Sequence, residues 1–258
     1  MENYEKYLEI GLKASKLAED IIVKAYTKGL INFESKSDKT PVTEIDKQCE
    51  AIIKSAILES FPDHAFLGEE TGKSNNSSEF VWIIDPIDGT KNFIRGIPLF
   101  GSLIALRHNT KLVVGISNAP MMGECLYAYD SHGAYKNGNR IHTSKCKTLD
   151  QSYISHGGIK SFINKNIINN LGELSGSVWG GRNFGDAWAY HLVAEGKIEA
   201  NLEASLKIWD IAAASVIIKE AGGEVSDLNG HEINLDTTSF LSSNGYVHRQ
   251  ILDIFKTK

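Results

Sequence analysis

The sequence lacks the features that define several broad classes of protein. Its three cysteines, Cys49, Cys125 and Cys146, are an odd number without a Cys-x-x-Cys spacing, so neither a disulfide framework nor a zinc site is expected. No run of residues approaches the ~20 apolar residues of a membrane span, and the N-terminal segment is charged and amphipathic, unlike a signal peptide. These absences predict a cytoplasmic protein with reduced thiols and no membrane partner.

Basic residues are too few and too scattered to form a nucleic-acid-binding surface. The 258 residues include 27 Lys and Arg against 32 Asp and Glu, which gives a formal net charge of -5. Because there is no basic stripe, a nucleic acid is not expected as a substrate. The acidic balance would also repel a phosphorylated substrate unless metal ions supplied positive charge.

The first half of the chain is expected to be α+β. Apolar residues at helical spacing predict one helix over residues 4–26 and a second from Thr43 to Pro62, separated by a polar connector. Over residues 101–144, short apolar segments alternate with turn signals, which predicts an antiparallel sheet. We therefore interpret residues 1–148 as a half that binds metal and phosphate, with helices packed on an antiparallel sheet.

The second half, residues 149–258, has a mixed α/β pattern. Short apolar runs alternate with segments of helical spacing, which is typical of strands and helices in turn. The predicted strands lie near residues 152–155, 178–179 and 198–203, and the predicted helices span residues 162–171, 186–195 and 209–221. We expect this half to complete the active site that the first half begins.

The stretch Val81–Phe93, VWIIDPIDGTKNF, carries the strongest chemical signal. A short apolar strand ends in Asp85 and Asp88, and Pro86 stiffens the turn between them. Two carboxylates held together repel one another unless a cation lies between them. The next residues offer backbone N–H groups at a helix start, which favours an anion. The alternative is an ordinary strand-to-helix turn capped by Thr90.

Three further acids each have a structural and a chemical interpretation. Asp46 stands three residues after Thr43, as in a capping box, and a catalytic role is equally open. Glu69 follows a short apolar run, so it lies either in a solvated turn or near the central aspartates. Asp210 opens a helix rich in alanine, where it is either an N-cap or a residue that this slim helix brings up to the central turn.

Three elements in this order, Glu69-Glu70, Asp85-Pro86-Ile87-Asp88-Gly89-Thr90 and Trp209-Asp210-Ile211-Ala212-Ala213, resemble the inositol monophosphatase family. The resemblance covers nearly the whole chain. It implies a lithium-sensitive phosphomonoesterase that uses about two to three Mg²⁺ ions. It also implies a layered αβαβα sandwich, with an antiparallel sheet in the first half and a mixed α/β second half, and a homodimer.

The resemblance also implies roles for individual residues. The metal ligands would be Glu69, Asp85, the carbonyl of Ile87, Asp88 and Asp210, which are all hard oxygen donors of the kind that Mg²⁺ requires. Gly89 and Thr90 would cradle the phosphate. Glu69, with a Thr90–Asp46 pair, would orient and deprotonate a metal-bound water that attacks phosphorus. Lys36 matches a family lysine near the phosphate, and Lys39 is a neighbouring candidate.

The segment Arg182–Tyr190, RNFGDAWAY, resembles the histidinol-phosphate phosphatase branch of the family. Inositol-type members commonly have a small residue where this chain has Asp186. A substrate ammonium or imidazole favours nearby carboxylates, which Asp186 and Glu203 could provide. The full substrate-binding set that we expect is Gly89, Thr90, Gly185, Asp186, Ala187, Glu203 and Asp210. Asp186 is alternatively a helix N-cap.

Other functions remain open alongside hydrolysis of histidinol phosphate. The same chemistry could act on inositol 1-phosphate or on a nucleotide 3′-phosphate, and we identify no basic or aromatic cluster for the latter. Members of the family can also serve as regulatory binding partners in RNA-related machinery. Mutation of Asp88 would separate the two classes, because a binding role should survive it and catalysis should not.

Overall fold

The structure is a computed structural model that describes residues 3–29, 32–35 and 41–256. Within these ranges the chain forms eight α-helices. They are α1 (Glu5–Thr27), α2 (Glu44–Ser60), α3 (Thr90–Ile94), α4 (Ile159–Asn164), α5 (Ile168–Ser177), α6 (Asp186–Ala194), α7 (Ile208–Glu220) and α8 (His248–Lys256). In this described part, no helix is both long and apolar enough to cross a membrane.

The strands of the described ranges form three sheets. A two-stranded sheet pairs β1 (Phe33–Ser35) with β2 (Pro41–Thr43). The large sheet contains β3 (Ala65–Gly68), β4 (Gly72–Lys73), β5 (Phe80–Asp88), β6 (Gly101–His108), β7 (Lys111–Ala119), β8 (Glu124–Tyr129), β9 (Ala134–Lys136) and β10 (Asn139–Ile141). The third sheet contains β11 (Tyr153–His156), β12 (Gly180–Arg182), β13 (Ala200–Glu203), β14 (Glu224–Ser226) and β15 (Phe240–Ser243).

The strand order explains how the two larger sheets are built. The large sheet runs β10-β9-β8-β7-β6-β5-β3-β4, and all its neighbours are antiparallel except β3 and β5. The third sheet runs β12-β11-β13-β15-β14, with parallel pairing around β11 and antiparallel pairing around β15. The third sheet is therefore mixed, and the large sheet is antiparallel, as predicted, but for one pair.

The helices and sheets stack in five layers. Helices α1 and α2 pack on one face of the large sheet, and α6 and α7 pack between the other face and the third sheet. The outer face of the third sheet is covered by α4, α5 and α8. The predicted layered α/β sandwich is confirmed. The division predicted between residues 148 and 149 stays a prediction.

Helix α7 is slim because of its alanines, and this lets it approach the large sheet closely. A Cβ atom on Gly115 of β7 would lie 2.4 Å from the carbonyl oxygen of Ala213. Such close contact is possible only with small residues on both sides. The expected approach of this helix to the large sheet is therefore observed, and it determines where Asp210 lies.

Three features differ from the sequence-based expectations. The polar connector contains β1 and β2, and the single helix expected over residues 162–171 is divided into α4 and α5. Asn166 lies at this break with φ 58°, a left-handed conformation that ends a helix. The elements β14, β15 and α8 were not predicted, because short strands and a C-terminal helix carry weak local patterns.

Candidate active site

A cleft of about 260 Å³ opens where β5 ends and α3 begins. It gathers residues that are far apart in the chain. Its lining consists of Glu69, Asp85, Ile87, Asp88, Gly89, Thr90, Lys91, Asp186, Ser205 and Asp210. Eight of these ten were predicted as site residues, the exceptions being Lys91 and Ser205.

The two central aspartates lie on an irregular end of β5, where we had expected a turn. Asp85 pairs with Leu103 and Asp88 with Gly101, so the register of the two strands shifts between them. A bulge of this kind accommodates Pro86, which has no N–H to give to the ladder. The Asp85 Oδ1 atom accepts the N–H of Ile87 at 3.0 Å, which fixes its carboxylate.

Asp85, Asp88 and Asp210 form a cluster that suits a divalent cation. One carboxylate oxygen of each lies within 4.8 Å of the others. Burial and the charge of Glu69 raise the pKa of Asp85, and burial together with Asp186 raises the pKa of Asp88. Burial also raises the pKa of Asp210 to about 7.

These shifts have a common physical cause, since buried carboxylates that face one another lose solvation and repel. The Asp85 carboxyl is within hydrogen-bonding reach of both Glu69 and Asp210. Carboxylates in such contact need either a shared proton or a cation between them. Hard oxygen donors at this separation fit Mg²⁺.

Asp210 enters the cluster from the first turn of α7. Its Oδ2 atom accepts the N–H of Lys207 at 2.7 Å. Asp210 is the third residue of the helix and the N-cap is Lys207, so the alternative of Asp210 as the N-cap is wrong. Its side chain instead accepts from the N-cap backbone, as the third residue of a capping box does. This hydrogen bond is compatible with its place in the cluster.

Thr90 and Asp46 have hydrogen bonds other than the pair that the resemblance implies. The Thr90 hydroxyl donates to the carbonyl of Ile87 at 3.0 Å. Asp46 accepts the N–H of Thr43 at 2.7 Å, so the predicted capping box is present. The Asp46 Oδ1 atom is buried and has no hydrogen-bond partner within the described chain. The Thr90–Asp46 pairing stays a prediction.

Asp46 nevertheless lies close enough to the cleft to sense its charge. Burial raises the pKa of Asp46, and the charge of Glu69 raises it further. A fully buried carboxylate oxygen without a donor is costly. This oxygen is therefore suited to accept a hydrogen bond from an ordered water or to face a bound cation.

Glu69 is positioned by a residue that sequence reasoning missed. The buried Glu50 of α2 accepts the N–H groups of Glu70 at 2.8 Å and Thr71 at 3.2 Å, and the Lys54 ammonium at 2.8 Å. A Cβ atom on Gly68 would lie 2.3 Å from the Glu50 carboxylate. The loop that carries Glu69 is therefore tied to α2, and only glycine fits at its start.

The second half contributes the N-terminus of α6. Gly185 is the N-cap residue and Asp186 is the first helical residue, so the alternative of Asp186 as the N-cap is wrong. The Asp186 Oδ2 atom accepts the Asn92 amide at 3.0 Å. The Ala187 N–H donates to Asp88 Oδ2, which joins the helix directly to the acidic cluster.

Asp186 has an unusual backbone conformation for its position. Its φ is 38°, in the left-handed region that residues other than glycine seldom occupy. Such strain persists only where the surroundings enforce it. Gly89 on the facing loop has no side chain, and a Cβ atom there would lie 3.1 Å from Asp186 Oδ2. The two halves therefore meet closely at this carboxylate.

Glu203 lies at the end of β13, behind Asp186. Burial raises its pKa to about 8, and the charges of Asp186 and Asp210 contribute. Its carboxylate packs against Gly157, where a Cβ atom would lie 1.6 Å from Glu203 Oε2. The niche that holds Glu203 thus exists only because residue 157 is glycine.

Tyr190 and Lys91 also belong to this region, and sequence reasoning missed both as site residues. Tyr190 is one helical turn after Asp186, and burial and the charge of Glu203 raise the pKa of its phenol. Lys91 is the one basic residue of the described cleft lining. Lys36 and Lys39, the predicted basic candidates, lie outside the described residues. A lysine directly after Gly-Thr was the available signal for Lys91.

Comparison with known proteins identifies a family match over nearly the whole chain. The profile described as "Inositol monophosphatase family" matches residues 3–257. The histidinol-phosphatase of Streptomyces coelicolor is 34% identical over 231 residues, which cover 86% of each chain. The Nus factor SuhB of Escherichia coli K12 is 33% identical over 253 residues, which cover 95% of this chain and 94% of SuhB.

A solved structure also resembles the fold. The IMPase of Thermotoga maritima superimposes with a TM-score of 0.88 at 31% identity, covering 97% of this chain and 96% of its own. The similarity therefore extends through all five layers, including the helices that carry Asp186 and Asp210.

Proposed function

Since the chain belongs to the inositol monophosphatase family of phosphatases, we propose that it is a Mg²⁺-dependent phosphomonoesterase that hydrolyses histidinol phosphate to histidinol. The observation that carries this proposal is the position of Asp186. It brings a carboxylate from the second half to the edge of the acidic cluster in a strained conformation. A relative named histidinol-phosphatase supports the same substrate.

The acidic cluster would hold the metal. Asp85, Asp88 and Asp210 offer carboxylate oxygens, Glu69 lines the same cleft, and the Ile87 carbonyl has a second lone pair beside its bond to Thr90. Mg²⁺ bound there supplies Lewis-acid polarisation of a phosphoryl oxygen and lowers the pKa of water. We expect about two to three ions, as the resemblance implies.

The remaining residues of the first half would place the phosphate and handle the proton. Gly89 and Thr90 present backbone N–H groups at the start of α3, on the floor of the cleft. Glu69 would accept the proton of the attacking water. Asp46, whose Oδ1 atom has no partner in the described chain, would help Thr90 to orient that water.

The second half would recognise the alcohol part of the ester. Burial raises the pKa of Asp186, and burial together with the charges of Asp186 and Asp210 raises the pKa of Glu203. A substrate ammonium or imidazolium placed between them would relieve this repulsion and keep both acids ionised. A neutral polyol would gain less at the same position. Gly185 and Ala187 flank Asp186 and would shape this part of the pocket.

Inositol 1-phosphate is the second candidate, and the Thermotoga maritima IMPase structure favours it. A nucleotide 3′-phosphate is a further ester of the same class. A panel of histidinol phosphate, inositol 1-phosphate and adenosine 3′,5′-bisphosphate separates the three by phosphate release. Each ester would be tested with Mg²⁺, with chelator and with added lithium.

A strong preference for histidinol phosphate is the expected result. A preference for inositol 1-phosphate would leave the metal cluster in place and reduce Asp186 to a local structural role. Absence of Mg²⁺-dependent release from all three would contradict the proposed activity and favour a binding role, for which the SuhB relative offers a precedent by name. The expected homodimer would be tested in the same preparation by light scattering.

A further inference from the structure

Helix α6 connects the cleft to a second polar network, which extends along its side from Trp188, its third residue, to Glu195 just after its last residue. At the cleft, Ala187 N–H donates to Asp88 and the Asn92 amide donates to Asp186. The whole helix has only nine residues. At a rise of about 1.5 Å per residue it is a rod roughly 13 Å long. We expect a displacement of this short helix at the network to move its cleft end as well.

Glu124 is the centre of this polar network. Its Oε2 atom accepts the Trp188 indole N–H at 3.1 Å and lies 3.3 Å from His191 Nδ1. Its Oε1 atom accepts the Lys136 ammonium at 2.6 Å, and Lys136 also reaches Glu195 just after the helix at 2.9 Å. Trp188 and His191 are three residues apart, so both face the same side of α6.

The proton positions in this network are determined by its partners. His191 is only 1% exposed, and its Nε2 atom lies 2.7 Å from the Ser117 hydroxyl. A carboxylate can only accept, so His191 Nδ1 carries the proton toward Glu124 and Nε2 accepts from Ser117. Two donors from α6 thus converge on one carboxylate of the large sheet.

Both apolar packing and polar contacts hold α6 in place. Its large apolar residues Tyr190, Leu192 and Val193 are buried, and this packing keeps the helix between the sheets. Hydrogen bonds are more directional than apolar contacts, so they fix the axial position and rotation of the helix more finely. Those hydrogen bonds are the one to Asp88 in the cleft and those of the Glu124 network.

We propose that Glu124 is a positioning residue for the cleft. It holds α6 at the axial position at which Ala187 N–H meets Asp88 and the Asp186 carboxylate meets Asn92. Glu124 lines no part of the cleft itself. This inference rests on the proposed function for its kinetic consequence, but its structural consequence can be measured without turnover.

The test compares Glu124→Ala and Glu124→Gln with Asp227→Ala. Asp227 is a matched control because its carboxylate also accepts several hydrogen bonds, from Asn229 N–H at 2.8 Å and His231 N–H at 2.7 Å, but does not touch α6. Glu124→Gln keeps one acceptor oxygen, so its effects on hydrogen exchange, Tm and kcat should lie between those of the wild type and of Glu124→Ala. Hydrogen exchange over residues 185–190, the Mg²⁺-induced rise in Tm, kcat and KM would be measured below the onset of unfolding.

We expect Glu124→Ala to exchange faster over residues 185–190 and to lose much of the Mg²⁺-induced rise in Tm. Its kcat should fall roughly 10- to 100-fold, as for a misplacement of about 1 Å, while Asp227→Ala loses stability only. Unchanged exchange in Glu124→Ala would overturn the positioning role even if no ester were hydrolysed. Faster exchange without turnover in the wild type would leave that role standing and contradict the proposed function alone.

Discussion

Two acids that contact α6 differ in how their charge is balanced. In the network beside Trp188 and His191, hydrogen bonds from His191 and Lys136 hold the pKa of Glu124 at about 2. In the cleft, burial and the charge of Asp186 raise the pKa of Asp88. The same helix thus joins an acid that the protein balances with its own hydrogen-bond donors and a lysine to an acid that chiefly faces other carboxylates.

The balance of charge around an acid identifies a functional site more reliably than its burial does. Burial alone raises the pKa of a carboxyl, and a structural acid overcomes it with donors or a counter-charge. Glu50 and Glu124 have such donors, whereas Asp85, Asp88 and Asp210 chiefly face one another. A cluster of acids that the protein does not balance with its own donors or basic side chains is typical of a site that binds a cation from solution.

The largest expected effect comes from Asp85→Asn, which removes one charge from the cleft cluster. Turnover should fall by at least about 1,000-fold because a metal ligand is lost, and the Mg²⁺ concentration for half-saturation should rise. In chelator the Tm should stay equal or rise, since Asn keeps the acceptor for Ile87 N–H and relieves repulsion. Phosphate release and thermal melts with and without Mg²⁺ measure both.

The matching change in the Glu124 network is Glu124→Gln, for which the metal-free Tm should fall. Loss of a charged acceptor with three donors costs roughly 1–3 kcal/mol. If both variants lost stability equally in chelator, the comparison between the two sites would fail. Asp85 would then be a structural residue of the bulge.

The next effect concerns the Asp186 carboxylate. Asp186→Asn removes the charge but keeps a side chain that tolerates the left-handed backbone. We expect kcat/KM to fall about 100-fold on histidinol phosphate, as for a lost charge-assisted contact of roughly 3 kcal/mol. The loss on inositol 1-phosphate should be much smaller, and equal losses on the two esters would contradict the role in substrate recognition.

A smaller effect is expected from Gly157→Ala, which pushes Glu203 out of its niche. The new Cβ atom would overlap the carboxylate, whereas Gly158 has nothing within 4 Å of such an atom and provides the control, Gly158→Ala. We expect kcat/KM on histidinol phosphate to fall about tenfold for the first variant, as for the loss of about 1.4 kcal/mol of binding. The control should stay within about twofold. An equal fall in kcat/KM for both variants would show that the backbone at residues 157 and 158, and not the position of Glu203, affects turnover.

Much of this architecture is predictable because its signals are local. The helix predicted over residues 4–26 is observed as Glu5–Thr27, and the predicted antiparallel strands begin where expected. The aspartates of the central motif carry their own spacing in the sequence. These are patterns that a few neighbouring residues can express.

The supporting residues are not predictable in this way. Glu124 meets Trp188 across 64 positions of the chain, and Glu50 meets Glu70 across 20. An isolated glutamate at either position has no pattern that names its partner, and Gly157 gives no sign that it makes room for Glu203. Such contacts exist only after the layers have stacked.

The last prediction extends the comparison to a buried base. His248 is 1% exposed in the third sheet's outer layer, where Ser226 and Ser243 hydroxyls lie 2.9 Å and 2.8 Å from its two ring nitrogens. Burial lowers its pKa from 6.5 to about 4, although Glu224 lies 3.9 Å away. Between these two pH values the unfolded chain therefore binds a proton at His248 that the folded chain does not. The contribution of His248 to the free energy of unfolding is complete above pH 6.5 and is lost as the pH falls toward 4. We expect His248→Gln to remove about 2 kcal/mol of the loss between pH 7 and pH 5, measured by urea unfolding at each pH. An identical pH dependence in wild type and variant would contradict this assignment, since other buried histidines would then carry the whole effect.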